Sequence, residues 1–548
     1  MKKKYPLNIF FITGFILIIL LSPINNKIDL TKDKRFTLNT ITIEQIKLIQ
    51  NEIHIDVFLS GRLPSSYRKI QTELKGIINS FQSIKNIFSV NFIDPFDEKT
   101  SLTETIDEMS KYGMNPLYVV QNSNRSYDQK VVFPWIIITY NKKSILVNLL
   151  DSNLGDTEEK KIINSIKNIE YKLTDAIKRL NNEKKDSVGY LTSHKTSEVL
   201  KITDWLNNIK RYYNLTLIDL KKSSNDYIYA LKNLNELKLI IISNPREKFS
   251  QEEKFLIDQY QINGGNIIWL IDQVKIDLNK LDYNGLSLAS INDLNLEDYF
   301  FKYGFRIKSE LIKDIYCSSI VIADGDGNDT RYIPFPWVYY PISKPNNHII
   351  STGIGSVWLR FASPIDTLEN NAKKTYLLTS SNFSKYQSIP SMINLKFAVE
   401  PIITSEYTSP SKPIAILSEG IFNSVFNNRL LPIRGINLKN KGKSKMLLIS
   451  EGQFGENQIE RGSPIELGYD KWTNNFYSNK EFLMNSVHYL MGNSDHILLK
   501  SKKINLNVFD KVKIENYKIN KPIMLITFPL IVLILIYYII YNYRKKVL

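Results

Sequence analysis

The chain has 548 residues, 43% of them hydrophobic, with a formal net charge of +16 and a single cysteine. That length allows three or four domains of about 150 residues each, while one cysteine, Cys317, excludes an internal disulfide, a CxxC redox pair and a cysteine-based zinc site. The positive charge is spread along a Lys-, Asn- and Ile-rich composition with no dense Arg cluster; this argues against nucleic acid as a partner and leaves attraction to an anionic membrane leaflet as a minor effect.

Leu7 to Leu21 is apolar and uncharged. A hydrocarbon core about 30 Å thick needs about 20 such residues, a length reached once Tyr5, Pro6 and Ser22 to Ile24 are placed in the interface. Residues 5–24 are therefore expected to form a transmembrane helix, after a cytoplasmic tail, 1–4, that holds Lys2, Lys3 and Lys4. The competing reading is a cleaved signal peptide, but Leu21-Ser22-Pro23-Ile24-Asn25 lacks the small-x-small cleavage site.

Ile41 to Ile49 has apolar residues at helical spacing, and Ile53 to Leu59 alternates and is rich in β-formers, as a strand requires. Leu63-Pro64-Ser65-Ser66 turns the chain into a helix from Ser66 to Lys85, followed by a strand from Phe88 to Ile93. This is a β-α-β unit with a crossover long enough for parallel strands. A helix over Leu102 to Tyr112 and strands over Leu117 to Val120, Val131 to Tyr140 and Ser144 to Leu150 give residues 31–155 the βαβ-αββ order of a thioredoxin-like fold. Without CxxC such a domain is a scaffold only. Residues 156–186, a helix from Glu158 to Leu180 and a polar stretch to Asp186, link it to a second domain, 187–495.

In that domain strands over Ser187 to Leu191, Leu215 to Leu220, Leu237 to Ile242 and Asn266 to Asp272 alternate with helices. One helix, Gln251 to Ile262, is capped by Ser250 with Glu253 at the capping-box position and ends at Asn263-Gly264-Gly265. The alternation predicts a mostly parallel, doubly wound, Rossmann-like sheet. A helix over Leu294 to Tyr303 closes at Gly304, and further strands cover Ser319 to Ala323, Tyr376 to Thr379, Pro413 to Leu417 and Met446 to Ile449. Lys480 to Met491 is expected to be the last helix before an extended basic stalk, 496–521. Ile523 to Tyr541 is again uncharged and long enough to span, so 523–543 reads as a second transmembrane helix and 544–548, with Arg544, Lys545 and Lys546, as a second cytoplasmic tail. Lys27, Lys32, Lys518 and Lys521 lie on the far flanks, but long translocated domains pass largely regardless of charge. The fold class expected is thus α/β, membrane-anchored, with two exported domains between two spans.

Open α/β sheets bind ligands at the carboxyl ends of their strands. Those ends hold Ser243-Asn244-Pro245, Asp272, Ser418-Glu419-Gly420 and Ser450-Glu451-Gly452. Ser243, Asn244, Asp272, Glu419 and Glu451 are therefore the candidate interaction edge; the plainer alternative is that Gly supplies turns and the acids cap helices or meet solvent. Catalytic motifs are not found. Gly442-Lys443-Ser444 has the end of a P-loop, but Asn437 stands where its first Gly belongs and the segment precedes a strand. Gly285-Leu286-Ser287-Leu288-Ala289 ends in Ala where a nucleophile elbow needs Gly. Asp324, Asp326 and Asn328 have calcium-loop spacing, with Asp329 and Phe335 where Gly and Glu are required. The five histidines show no HxxxH or HExxH spacing. No enzyme activity and no cofactor are expected.

A resemblance runs through the chain in order. Arg35-Phe36-Thr37-Leu38, Leu63-Pro64 and Phe92-Ile93-Asp94-Pro95 resemble the opening of the GldG family, the auxiliary membrane component of the gliding-motility ABC transporter of Bacteroidetes. Ser243-Asn244-Pro245, Glu253-Lys254-Phe255, Gly264-Gly265 and Trp269-Leu270-Ile271-Asp272 are similar to its central block, as is Lys302-Tyr303-Gly304-Phe305-Arg306. Ser418-Glu419-Gly420 with Phe422, Ser424, Phe426 and Arg429 resembles its EGxFxSxFxxR pattern, and Leu467-Gly468-Tyr469-Asp470 with Asn479, Phe482, Asn485 and Tyr489-Leu490 its closing block. Ser450-Glu451-Gly452-Gln453 departs from an Asp-Gly-Asp-like turn, which weighs against carrying over an ion or ligand role there. The second domain also resembles the glutamine-amidotransferase-like sheet of intraflagellar-transport proteins, without the catalytic Cys. The resemblance implies ATPase and permease subunits as partners, a two-pass protein of the bacterial inner membrane with its bulk in the periplasm, and a non-catalytic role binding partners or a periplasmic ligand. The alternative from another class is a membrane-tethered hydrolase or transferase, which a Ser/His or Cys/His pair converging on Glu419 and Glu451 would favour.

Overall fold

A computed structural model describes residues 37–500, apart from 97–100, 124–125, 152–156, 183, 223–225 and 326–329, and residues 520–547. The first expected span with Lys2, Lys3 and Lys4, most of the expected stalk, and Asp326 and Asn328 of the calcium-like spacing lie outside the described residues. The architecture is mixed α/β. Phe36–Lys502 form one compact unit, and the two ends of the chain another.

The smaller sheet of the large unit has four strands, β1 (Ile53–Val57), β2 (Phe88–Phe92), β3 (Trp135–Tyr140) and β4 (Lys143–Asn148), in the order β2-β1-β3-β4. β1 and β2 are parallel, and the other pairs are antiparallel. The crossover that a parallel pair requires is α1 (Ser65–Ile84). Its buried Tyr67, Ile70, Leu74, Ile77, Ile78 and Phe81 repeat at the three-to-four spacing of one helix face. A second helix, α2 (Glu158–Asn181), is capped by Thr157, buries Ile162, Ile166, Ile169, Leu173 and Ile177, and packs on α1, β3 and β4. The helix read as part of a linker thus lies against the first sheet.

The larger sheet holds β5 (Ser187–Leu191), β6 (Asn214–Ile218), β7 (Leu239–Ser243), β8 (Asn266–Leu270), β9 (Ala372–Thr379), β10 (Pro413–Asn423) and β11 (Lys441–Ile449), in the order β9-β10-β11-β8-β7-β5-β6. The five strands from β11 to β6 are parallel. Strands covered on both faces read as unbroken apolar runs, and β7, Leu-Ile-Ile-Ile-Ser, is buried at every position. Ile240, Ile242 and Trp269 enter the core on one face; Leu239, Ile241, Ile268 and Leu270 enter the core on the other. Each fully buried aliphatic side chain contributes about 1.5–3 kcal/mol. The first core is backed by α4 (Gln251–Ile262), the second by α3 (Thr203–Tyr212) and α5 (Asn479–Leu490). The capping box read at α4 is present: Glu253 N donates to Ser250 Oγ at 3.2 Å, and Ser250 N donates to Glu253 Oε2 at 2.8 Å.

Three expectations change. β10 runs antiparallel to β11, with Ala415 opposite Ile449 and Glu419 opposite Lys445. β9 is antiparallel to β10 in turn. A six-residue helix, α6 (Asp495–Lys500), follows α5 where extended stalk was expected. The strand pair Cys317–Asp324 and Arg331–Ser343 buries Trp337 and Tyr339 in a core with Leu311, Phe361 and Ile393, because they lie on the covered face of the ribbon.

In the unit formed by the chain's ends the described element is a helix, α7 (Asn520–Val547), which contains Arg544, Lys545 and Lys546. The side chains of Leu530 to Ile540 are exposed and apolar or aromatic. Among the described residues no helix is long and apolar enough to cross a membrane.

Candidate functional site

The order of the parallel strands reverses at β5, because β6 lies on one side of it and β7 on the other. A crevice for ligands is expected outside the carboxyl ends of such strands. Here that place is filled by the chain itself. After β5, His194 and Lys195 adopt left-handed backbone angles, φ 63° and 48°, and after β7 Asn244 does so at φ 55°; such angles are uncommon outside glycine. The turns fold inward. Ser197 N donates to Ser243 O at 3.0 Å, and Tyr190 donates its hydroxyl proton to Ser197 O at 2.8 Å. The segment after β11 closes the top: Glu456 Oε1 accepts from Ser197 Oγ at 2.6 Å and from Asn244 Nδ2 at 3.0 Å, while Gly452 N donates to Asp272 Oδ1 at 2.6 Å. Glycine at 452 is required by the close approach, since a Cβ there would lie 2.5 Å from Asn244 Oδ1.

Four of the five candidate residues, Ser243, Asn244, Asp272 and Glu451, therefore come together, and all four are buried. Glu419 does not join them. Because β10 is antiparallel, Glu419 lies at the other end of the sheet, where it pairs with Lys445 at 3.0 Å and accepts from Tyr489 Oη at 2.9 Å. A single edge bearing all five is thus corrected to a buried polar lock of four plus a separate, half-buried ion pair.

Sequence reasoning missed Arg246, Arg360 and Glu456, which complete the lock. Arg246 pairs with Asp272 at 2.7 Å, and Arg360 donates to Gln453 O at 2.7 Å. Three carboxyl groups, Asp272, Glu451 and Glu456, thus face two guanidinium groups. Burial pushes the Asp272 pKa up, against the pull of Arg246. Burial pushes Glu451 far up, with Arg360 opposing and the Asp272 charge adding to the rise. Both Glu451 carboxyl oxygens are buried and, among the described residues, make no hydrogen bond of good geometry, the nearby Gln453 backbone opposing the rise only weakly. An ionised carboxylate in that position would carry a large desolvation cost; a protonated one leaves the remaining charges balanced.

Another chain of bonds lies beside the lock. Ser193 Oγ lies 2.9 Å from His194 Nδ1, and His194 Nε2 lies 3.0 Å from Glu253 Oε2. The order is that of a Ser-His-acid relay, but the imidazole is 1% exposed and stacks on Phe249 at 3.9 Å. Ser193 Oγ also accepts from Leu220 N, and Glu253 is held in its helix cap. No room is left for a reacting carbonyl, so the relay rivets the turn to α4. The P-loop fragment has a similar explanation. Gly442 begins β11 against the end of α4, where a Cβ would lie 1.7 Å from Ile262 O. Its glycine serves a close backbone approach, with no phosphate cradle. Among the described residues no group of three His, Cys, Asp or Glu side chains is placed to hold a metal ion.

A protein of Borreliella burgdorferi, described as an uncharacterized protein, is 22% identical over 542 residues, covering 95% of this chain and 93% of that one. Among solved structures the mmIFT52 N-terminal domain is similar at 12% identity, covering 56% of this chain and 97% of that one with a TM-score of 0.33. Residues 32–139 match a domain family of unknown function. Residues 185–486, more than half of the chain and the whole of the seven-stranded sheet, match the family described as an ABC-type uncharacterized transport system, and the chain belongs to that auxiliary transport family.

Proposed function

We propose that the protein is a non-catalytic, membrane-anchored subunit of an ABC transporter complex of the gliding-motility type, its bulk on the periplasmic side of a bacterial inner membrane and its partners a separate ATPase and permease. Membership of the auxiliary transport family supports the transporter association. The observation that carries the non-catalytic reading is the filled switch point: Ser197 and Asn244 both donate to Glu456, and Gly452 N donates to Asp272, where a doubly wound sheet would hold a substrate. The hydrolase alternative required a catalytic pair converging on Glu419 and Glu451, and these lie at opposite ends of the sheet. Anchoring is supported by the uncharged stretch Ile523 to Tyr541 and by the exposed apolar side chains of Leu530 to Ile540, which need a non-aqueous cover. The GldG resemblance supports the gliding-motility type.

The test is purification from native membranes in mild detergent through an affinity tag, followed by mass spectrometry. An ABC ATPase and a polytopic permease are expected at stoichiometric intensity. Recovery of the chain without either would overturn the proposal.

A further inference from the structure

Away from the lock, a cavity of about 340 Å³ opens between the end of β4, α2, α3, α5 and α6. Cavities of this size accept small ligands, preferentially where two substructures meet. Its wall carries the cations Lys172, Arg179, Arg211, Lys480 and Lys500 against the carboxylates Asp151, Asp175 and Glu481. Asp151 holds Lys172 at 2.7 Å, and Asp175 holds Arg179 at 3.0 Å. Lys480 pairs at 3.0 and 2.9 Å with Asp204 and Glu466, which stand outside the wall. Among the described residues the Arg211 guanidinium, the Lys500 ammonium and the Glu481 carboxylate form no ion pair, unlike the other charged groups of the wall. The resulting field is felt at Lys172: burial, with Lys500 adding to it, holds its pKa below the ordinary lysine value although Asp151 opposes the change.

A neutral donor completes the wall. His488 is 4% exposed and lines the cavity. Burial, with the neighbouring His496, holds it well below the usual imidazole pKa, so it is neutral. Asn493 Nδ2 donates to Tyr213 Oη at 3.1 Å, and Tyr213 Oη lies 2.9 Å from His488 Nδ1; with Tyr213 as the donor of that bond, the imidazole carries its proton on Nε2. That tautomer leaves the His488 Nε2–H without a partner among the described residues.

We propose that this cavity binds a phosphate group, either inorganic or on a small water-soluble monoester, between Arg211, Lys500 and the His488 Nε2–H. Arg211 and Lys500 outnumber the one unpaired carboxylate of the wall, Glu481, so an oxyanion adds the missing negative charge, and its oxygens accept from all three donors. The proposal goes beyond the transporter assignment, and its test is independent of which subunits co-purify.

Full-length protein in a neutral detergent is titrated with inorganic phosphate, with chloride at matched ionic strength as the control and the thermal midpoint as readout. Phosphate is expected to raise the midpoint saturably, chloride to leave it unchanged, and glycerol phosphate to act as phosphate does. Arg211→Gln and Lys500→Gln, both at exposed positions, should keep the parent's unliganded midpoint and weaken phosphate binding by about tenfold each, as the loss of one charge-assisted hydrogen bond does. Equal effects of phosphate and chloride, or parent-like binding by both variants, would overturn the proposal. So would protection by phosphatidylglycerol vesicles without protection by free phosphate, which would reassign the cations to a lipid surface.

Discussion

Replacing Glu451 with Gln should raise stability at neutral pH and flatten its dependence on pH. Glu451 is 1% exposed, and among the described residues neither carboxyl oxygen makes a hydrogen bond of good geometry. Its pKa is raised well above 4.5 in the folded protein, chiefly by burial. The native state therefore holds a proton that the unfolded chain releases near pH 4.5. Where the native state binds more protons, stability falls as pH rises. The loss begins near pH 4.5, proceeds at about 1.4 kcal/mol per pH unit, and ends at the native pKa. The parent is therefore less stable at neutral pH than near pH 4.5 through this one group. Gln has the same shape and no proton to lose. Its amide has no better partners than the protonated carboxyl, so the two proteins should be nearly equal at pH 4.5, where both side chains are neutral. The assay is urea unfolding of both proteins at pH 4.5 and 7.5, read as the difference in midpoint at each pH. The variant should match the parent at the lower pH and exceed it at the higher. A variant less stable than the parent at pH 7.5, with an unchanged pH profile, would refute the reasoning and show Glu451 to be ionised and paired.

Gly442→Ala should destabilise by about 3 kcal/mol or more, since the added Cβ would meet the Ile262 carbonyl backbone and neither side can yield cheaply; thermal unfolding checks this. Glu419→Gln should cost no more than about 1 kcal/mol, the value of a partly exposed pair, and leave co-purification of partners unchanged; a loss of partners would return Glu419 to the working surface. A reporter active only outside the cytoplasm, fused at Asn182, should be active if both tails are cytoplasmic, whereas activity of a cytoplasmic reporter at the same site would reverse the orientation.

Local features were legible from the residues. The parallel pair β1 and β2 follows from a crossover of helical length, and the cap at Ser250 and Glu253 from its spacing. Strand direction in the larger sheet was not. A central antiparallel strand buried on both faces has the same unbroken apolar run as a parallel one, so Ile414 to Leu417 carried no mark of its reversal, and Glu419 was assigned to the wrong edge. Trp337 and Tyr339 lie in a segment whose alternation fits either face of a ribbon, and only the core beneath it decides which. Arg246, Arg360 and Glu456 stand 114 and 96 positions apart in sequence and have no motif between them; the lock they complete exists only after β7, β8 and β11 are aligned. The same holds for Arg211, His488 and Lys500, which three helices bring to one cavity.

The central claim, a non-catalytic subunit of an ABC assembly, is tested most directly by following ATP turnover through its dissection. The tagged assembly is purified, its ATPase activity is measured, and the partner subunits are then stripped from the bound chain. The account predicts that turnover leaves with a separate ATPase subunit and that the remaining chain neither binds nor hydrolyses ATP. Turnover that stays with the isolated chain would contradict it.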